Sequence, residues 1–545
     1  MHRNSRIDFW VWVCVAAGLL AMRLYPTFAP ELGHDSFQYL SVADNALAGR
    51  IGYTSLIHYD IERSFGVLPA PMLTFPSGYP LAIAFVSLVG VSTKTAALIL
   101  SAVSTIACIP LLLWLGVQLG FSRAIRNVVV ACFVINGIVN EYSSAALSEP
   151  LFMFLTLLGI AALVAARLPG NGGGLRYWLV AGLALGATYF VRYAGLFFIV
   201  GLALLMIRHL VTRERLLAKG HAIALAVASA FVMAGIARNM LLTGNWHGRD
   251  EMLVNNPLLS VLAQTAMAIN GLFLGVGTGR SAPGGTFVPK AILSAFLVMG
   301  IASLAWSRWR ERSIASQQPP SMRDVAIDLS LLSATYVACM IYAGHTSSIS
   351  YGAARHFLPL IPPILLLFGL LLRFLLPAVE QPVTGRRIPL AALAISFLCY
   401  AYLNLLVIRK PVDDQEALVA EQFNSGARGV AASRAAVLSL IGPQGAILAN
   451  NGQAVGYFLG RPTISTVGPT FSDVVWDERT VRETMQRFHI TAVVITAPTS
   501  GRPDDSDIPS PFIEQLAQGS APAWLKLADR SGMLLTYVPV SSNPQ

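Results

Sequence analysis

Residues 146–158 read Ala-Leu-Ser148-Glu149-Pro150-Leu-Phe-Met-Phe-Leu-Thr-Leu-Leu, and the apolar run they open continues to Ala166. Ser148 is placed to cap a helix, and Pro150 suits the first turn, where its missing N–H would bond nothing anyway. Glu149 would then face the positive end of the helix dipole. A helix over 149–166 is long enough to cross a hydrocarbon core of about 30 Å. The stretch thus predicts a membrane helix with a carboxylate at its mouth.

Comparable apolar runs on either side predict helices near 8–26, 96–118, 126–140, 176–190, 193–209, 219–237, 289–306, 327–344, 357–376 and 389–408. Gly78–Val91 is shorter and opens with Pro76 and Pro80, so it reads as a short or re-entrant helix. The Met252–Phe273 stretch is interrupted by Asn255, Asn256 and Pro257 and reads as an interfacial helix. Only 12% of the 545 residues are charged, against about 25% in soluble domains. The first run, from Phe9 to Leu24, shows no small-residue cleavage site and is expected to be a retained helix rather than a removed signal.

The net charge of +10 does not point to nucleic acid. The basic residues fall in short gaps between apolar runs and form no stripe with interleaved aromatics. Arg123, Arg126, Arg167, Arg176, Arg208, Arg213, Arg215, Lys219, Arg308, Arg310, Arg312, Arg373, Arg386 and Arg387 fall on one set of loops. The opposite set holds Glu31, Asp35, Asp44, Asp60, Glu62, Glu141, Glu149, Asp250 and Glu251. The positive-inside rule makes the first set cytoplasmic. All five cysteines lie within apolar segments with no CxxC pair, so neither a disulfide framework nor a zinc framework is supported.

Past Lys410 charged residues return. Ala446–Asn450 and Thr491–Thr496 look like buried strands, between amphipathic helices at Gln415–Leu440 and Glu478–Phe488. The expected architecture is a polytopic α-helical membrane protein with about 11–13 transmembrane helices and a small C-terminal mixed α/β extracytoplasmic domain. The membrane domain would cover residues 1–409, with outer loop one at 27–76, and the soluble domain 410–545.

Three groups of residues could carry chemistry. Outer loop one opens with His34-Asp35 and Tyr39 just after the first helix; Phe37, Tyr39, Leu40, Ala43 and Leu47 would form one face of an amphipathic helix. Asp35 either caps that helix, with Ser36 as its first residue, or acts as a functional carboxylate. Glu149 is the second acid, read either as a partner of the helix dipole or as a functional group. The third group is basic: Arg192 in Tyr189-Phe-Val-Arg192-Tyr193-Ala-Gly195, Arg238 and Arg249 around Asn245-Trp246-His247, and Arg355-His356. These arginines sit on the side where the positive-inside rule disfavours them. Interfacial snorkelling or a phosphate ligand would each account for them.

In this order the motifs resemble the bacterial branch of the GT-C glycosyltransferases, relatives of protein O-mannosyltransferases and lipid A aminoarabinose transferases. The features that match are His34-Asp35-x-x-x-Tyr39, ALSEPLFMFLTLL, Arg192-Tyr193-Ala-Gly195, RNMLLTGN from Arg238 and RHFLPLIPPILLL from Arg355, spread over residues 8–410. Two departures are visible. The family's second acid is often Asp where this chain has Glu149, and loop one has one clear acid beside His34 rather than a pair.

The resemblance implies a hexosyl- or pentosyltransferase in the bacterial cytoplasmic (inner) membrane, working at its periplasmic face on the cell envelope. It would take sugar from a polyprenyl-phosphate donor and pass it, with inversion, to a glycan, lipid or protein acceptor. Asp35 would be the catalytic base, and Glu149 would orient the acceptor or share a cation with Asp35. His34, Tyr39, Arg192, Arg238, Arg355 and His356 would bind substrate. No cofactor is assigned and no metal ligand set is named, although the two acids would accommodate a divalent cation. The partners expected are the lipid-phosphate donor, the acceptor and membrane lipid, with no nucleic acid.

No glycine-rich phosphate loop for a nucleotide sugar occurs. A transporter or flippase is the main alternative, and it would place ionisable residues near the bilayer midplane. An O-antigen ligase or polymerase is another, and it would centre on a large late outer loop.

Overall fold

The computed structural model describes residues 3–58, 61–168, 174–246, 254–274, 320–347, 353–375, 387–409, 415–424, 429–467, 474–496 and 510–540. The chain divides into two compact units. The first comprises Met1–Ala29, Leu98–Ala234 and Asn255–Val412; the second comprises Pro30–Ala97, Gly235–Val254 and Asp413–Gln545.

In chain order the helices are α1 (Arg3–Leu24), α2 (His34–Leu47), α3 (Gly78–Ser87), α4 (Thr93–Gln118), α5 (Arg123–Val134), α6 (Gly137–Ser143), α7 (Glu149–Arg167), α8 (Leu175–Val191) and α9 (Gly195–Val211). Then come α10 (Arg215–Thr243), α11 (Leu258–Leu274), α12 (Pro320–Thr346), a 3-10 helix (Ala354–Leu360), α13 (Ile361–Leu375) and α14 (Arg387–Ile408). Among the described residues six helices are long and apolar enough to cross a membrane, or seven if the bent pair α5–α6 counts as one span. α8, α9 and α11 are shorter apolar helices. The helix expected at 289–306 lies outside the described residues.

The helix expected over 126–140 is in fact two helices meeting at 55°. A bend frees backbone groups that an apolar setting cannot hydrate, so side chains must answer them. Asn136 does so between the two helices: its Oδ1 accepts the Val139 N–H, and its Nδ2 donates to the Tyr400 hydroxyl and the Leu272 carbonyl. The Tyr400 hydroxyl donates to the Cys132 carbonyl, and the Gly137 N–H donates to Asn404 Oδ1. The run expected as one helix from 357 to 376 likewise begins as a 3-10 turn, with Pro359 inside it, and becomes α-helical only at Ile361.

Small residues set how closely the first unit's helices pack, as is general where lipid removes the hydrophobic drive between them. Gly182 and Gly186, one turn apart on α8, face Ala224 and Ala228 on α10. A Cβ on Gly182 would lie 2.6 Å from the Ala224 carbonyl oxygen and 2.7 Å from Val227 Cβ. Both alanines are fully buried.

The second unit contains a six-stranded sheet in the order β2-β5-β4-β6-β8-β7. The strands are β2 (Leu56–Ile57), β4 (Ala446–Ala449), β5 (Thr463–Ser465), β6 (Ile490–Thr496), β7 (Leu525–Ser531) and β8 (Leu534–Pro539); β1 (Tyr53–Thr54) and β3 (Ala70–Pro71) form a separate pair. β2, β5, β4 and β6 run parallel, and β8 and β7 close the far side antiparallel. Parallel strands need crossovers, and α17 (Gly452–Leu459) and α18 (Glu478–Arg487) lie between them in sequence.

β4 and β5 are buried at every position, as strands covered on both faces should be. β2 comes from the stretch expected as the first loop, so that stretch and the C-terminal segment share one sheet. Ile57, Ile61 and Ala70 join Leu448, Ile464, Trp476 and Ile495 in its core. The helix expected over Gln415–Leu440 is two, α15 (Gln415–Gln422) and α16 (Gly429–Ile441). A last short helix, α19 (Pro511–Ala517), precedes the β7–β8 hairpin.

Gly182→Leu is expected to push α8 off α10 and lower stability by about 1–3 kcal/mol, read as an earlier unfolding transition of the detergent-solubilised protein. Leu183→Ala, at a side chain 50% exposed, should shift the transition much less.

Candidate active site

In the first unit, Ser148 occupies the N-cap position of α7 but makes no cap hydrogen bond with its side chain. Its Oγ instead accepts from Arg192 Nη1 at 2.9 Å. Ser101 Oγ, on α4, donates to the Ala145 carbonyl at 2.8 Å and holds the approach to this corner. Glu149 is 1% exposed, and its Oε1 lies 2.8 Å from Arg192 Nη1. The contact is an ion pair without hydrogen-bond alignment, and neither carboxylate oxygen has a hydrogen-bond partner among the described residues. A carboxylate this deeply buried stays charged only beside a cation.

Arg192 is positioned by a tight turn. It ends α8 in an extended conformation, its N–H donating to the Thr188 carbonyl, and the Gly195 N–H then donates to the Arg192 carbonyl. The chain returns so closely that a Cβ on Gly195 would sit 2.4 Å from the Tyr189 nitrogen and 2.5 Å from the Thr188 carbonyl carbon. The glycine of Arg192-Tyr193-Ala-Gly195 is therefore a steric requirement for the guanidinium's position.

Arg192 Nη2 lies 3.3 Å from His356 Nδ1. His356 sits in the 3-10 turn, where its carbonyl accepts from the Tyr336 hydroxyl at 2.7 Å. Tyr336 is buried among Phe152, Phe197 and Phe198 and stacks on Phe198 at 4.7 Å. Sequence reading missed Tyr336, because one tyrosine in an apolar helix looks like any other core aromatic. Arg355 adjoins His356 in the same turn and is partly exposed.

The second unit holds the other candidates. Gly33, not Asp35, is the N-cap of α2, and its N–H donates to Ser36 Oγ at 3.1 Å. The capping alternative for Asp35 therefore falls, and the carboxylate stands half-buried in the first turn beside an exposed His34. α2 is buried nearly all round from Ser36 to Ala43, while Leu47 is 46% exposed, so the single apolar face expected there is not formed. Tyr39 is buried, with its ring 5.1 Å from both Phe75 and Tyr79. Arg238 donates through Nη2 to the Gly52 and Met72 carbonyls, at 3.2 and 3.0 Å, which ties down the chain around β1 and β3. Arg249 lies outside the described residues.

The folded chain thus gathers Glu149, Arg192 and His356 into one cluster, with Arg355 next in the chain. His34, Asp35, Tyr39 and Arg238 belong to the other unit. Among the described residues, no trio of His, Cys, Asp and Glu at metal-ligand spacing includes Glu149 or Asp35.

Residues 77–250 match the family profile described as dolichyl-phosphate-mannose-protein mannosyltransferase. The crystal structure of ArnT from Cupriavidus metallidurans in the apo state superposes with a TM-score of 0.58, at 13% identity and over 98% of both chains. This is the GT-C glycosyltransferase fold. ArnT from the same organism bound to undecaprenyl phosphate gives a TM-score of 0.56 at 12% identity, over 98% of this chain and 99% of that one. The archaeal oligosaccharyltransferase AglB from Archaeoglobus fulgidus, in complex with an inhibitory peptide and a dolichol-phosphate, gives 0.55 at 11% identity, over 90% of this chain and 69% of that one. No curated protein matches the chain in sequence. In this chain the mouth of α7 carries the buried carboxylate, and the turn after α8 carries its guanidinium partner.

Breaking the pair from one side strands a buried charge. Arg192→Met is expected to lower stability by about 3–5 kcal/mol, measured by unfolding in detergent. The double variant Arg192→Met/Glu149→Gln should regain most of that loss, because no uncompensated charge remains.

Proposed function

We propose that this chain transfers a glycosyl group from a polyprenyl-phosphate-linked sugar to an acceptor at the outer face of the bacterial cytoplasmic membrane, with inversion at the anomeric carbon. The observation that carries this reading is the Glu149–Arg192–His356 cluster: a guanidinium 16% exposed, held by a buried acid, a serine and a tight turn, with a second cation, Arg355, next to His356 in the chain. Such a group is pre-paid for binding phosphate, since its partners have already ordered it. The ArnT and AglB structures were solved with undecaprenyl phosphate and dolichol-phosphate respectively, which supports a lipid-phosphate donor here.

Chemically, a polyprenyl phosphate leaves as an anion, and its developing charge calls for preorganised donors. Arg192, Arg355 and His356 take that role. The acceptor hydroxyl or amine needs a carboxylate to receive its proton on the sugar face opposite the leaving phosphate. Asp35 takes that role, and Glu149 holds Arg192 in place. The basic loops Arg123–Arg126, Arg208–Lys219 and Arg373–Arg387 support an orientation that puts Asp35, Glu149 and the C-terminal segment outside. A lipid tail in hydrocarbon with its headgroup at the interface accounts for a membrane-embedded enzyme.

The test is to incubate the purified protein with labelled polyprenyl-phosphate sugars and measure free lipid phosphate released together with acceptor glycosylation. Asp35→Asn should slow transfer by about 10²–10⁴-fold while the protein still inserts and folds. Arg355→Ala should raise the KM for the lipid donor more than that for the acceptor. Near-normal turnover in Asp35→Asn removes Asp35 from the mechanism, and absence of coupled release from the unaltered protein overturns the proposal.

A further inference from the structure

At its other end α7 finishes in Arg167, about 27 Å along the helix from Glu149 at 1.5 Å per residue. There a second charged cluster lies wholly within the first unit. Asp328 on α12 pairs with Arg167 and, through Oδ1, with Arg208 Nη1 at 2.5 Å; Arg208 also reaches Asp324 at 2.7 Å. His209, at the end of α9, and His221, on α10, are both 0% exposed, and their rings stack at 4.9 Å. One donor atom from each of His209, His221 and Asp328 lies within 4.8 Å of the other two. None of this bears on the sugar-transfer reading.

The hydrogen bonds of the two imidazoles are arranged as metal-ligand histidines require. His209 Nδ1 donates its N–H to Glu214 Oε2 at 2.5 Å, so the other nitrogen keeps a lone pair. His221 Nδ1 donates to the Leu217 carbonyl at 2.8 Å, and its buried Nε2 has no hydrogen-bond partner among the described residues. An unanswered nitrogen at full burial is costly, and a ligand would answer it.

His209 Nε2 and Asp328 Oδ2 stand 3.5 Å apart, close to the separation of two donors about 2.0–2.1 Å from one tetrahedral ion. Arg167 Nη2 touches both of them, at 2.6 Å from His209 Nε2. A cationic nitrogen thus stands where these donors converge. The acids Asp324, Asp328 and Glu214 outnumber the guanidiniums of Arg167 and Arg208 by one, so a dication that takes the place of Arg167 leaves the charges balanced. A cavity of about 20 Å3, enough for about one water, lies against Arg167, Asp328, Leu205 and Leu332.

We propose that His209, His221 and Asp328 bind a divalent transition ion of the Zn2+ type, in competition with Arg167 for the same donors. Two imidazoles and one carboxylate suit zinc or cobalt better than magnesium or calcium. Bound there, the ion clips α9, α10 and α12 together.

The experiment uses the full-length protein in detergent, stripped with a chelator and titrated with Co2+. A saturable ligand-field absorption, displaced by Zn2+, is expected. His221→Gln should lose the band and weaken binding by at least about 100-fold, more than the loss of an outer-shell partner would cause. Arg167→Gln should bind at least about 10-fold more tightly, because the competing cation is gone. The double variant Arg192→Met/Glu149→Gln, which strands no charge, should keep the band, which separates this site from any cation at the other end of α7. X-ray absorption of the Zn2+-loaded protein provides a readout that needs no variant to fold, and it should show imidazole nitrogens at about 2.0–2.1 Å. The absence of saturable Co2+ binding, an unchanged band in His221→Gln, unchanged affinity in Arg167→Gln, or a coordination shell without imidazole would each overturn the proposal.

Discussion

A carboxylate that is 1% exposed keeps its charge only if a cation meets it, and at the mouth of α7 that cation is Arg192. Much else in the first unit serves this contact. The turn after α8 must be tight enough to bring the guanidinium back over the helix start, which is why residue 195 lacks a Cβ. Ser148 turns from capping its own helix to accepting from Arg192. His356 is delivered by a 3-10 turn rather than by α13 itself, and the Tyr336 hydroxyl fixes that turn from within an aromatic cluster.

The same logic recurs wherever an apolar helix must end or bend. Asn136, Tyr400 and Asn404 answer the backbone groups released between α5 and α6. At the far end of α7, Arg167, Arg208, Asp324 and Asp328 neutralise one another across three helices. The charged residues described in this unit are therefore concentrated at helix breaks and ends, while the helix shafts are held by close contacts such as Gly182 on Ala224.

The second unit rests on different physics. Its sheet is stabilised by burial of apolar side chains from β4, β5 and β6, and its edge is covered by β2, borrowed from hundreds of residues away in sequence. Two residues of pairing suffice because Ile57 and Ile61 also enter the core. α2, which carries His34 and Asp35, packs in this unit with α3 and α17, Phe37 lying 5.3 Å from Tyr457. The carboxylate of Asp35 is thus presented by a helix buried nearly all round, a rigid support for a group at its first turn.

The helical membrane character, the approximate helix bounds and the strands at 446 and 491 were all legible in the sequence, because apolar run length and periodicity are local properties. The strings that resemble GT-C motifs could be picked out too, because each is short and contiguous. What residues 146–158 could not disclose is that Ser148 would bond Arg192 rather than cap α7, or that Glu149 would be sealed against solvent. Nor could the first loop announce that Leu56–Ile57 would become a strand, since two residues carry no period. The break at Asn136 stayed hidden because its compensating groups, Tyr400 and Asn404, lie more than 250 residues further on. Propensity and pattern act over a few turns of chain, whereas charge compensation and backbone satisfaction depend on which distant groups the fold brings within about 3 Å.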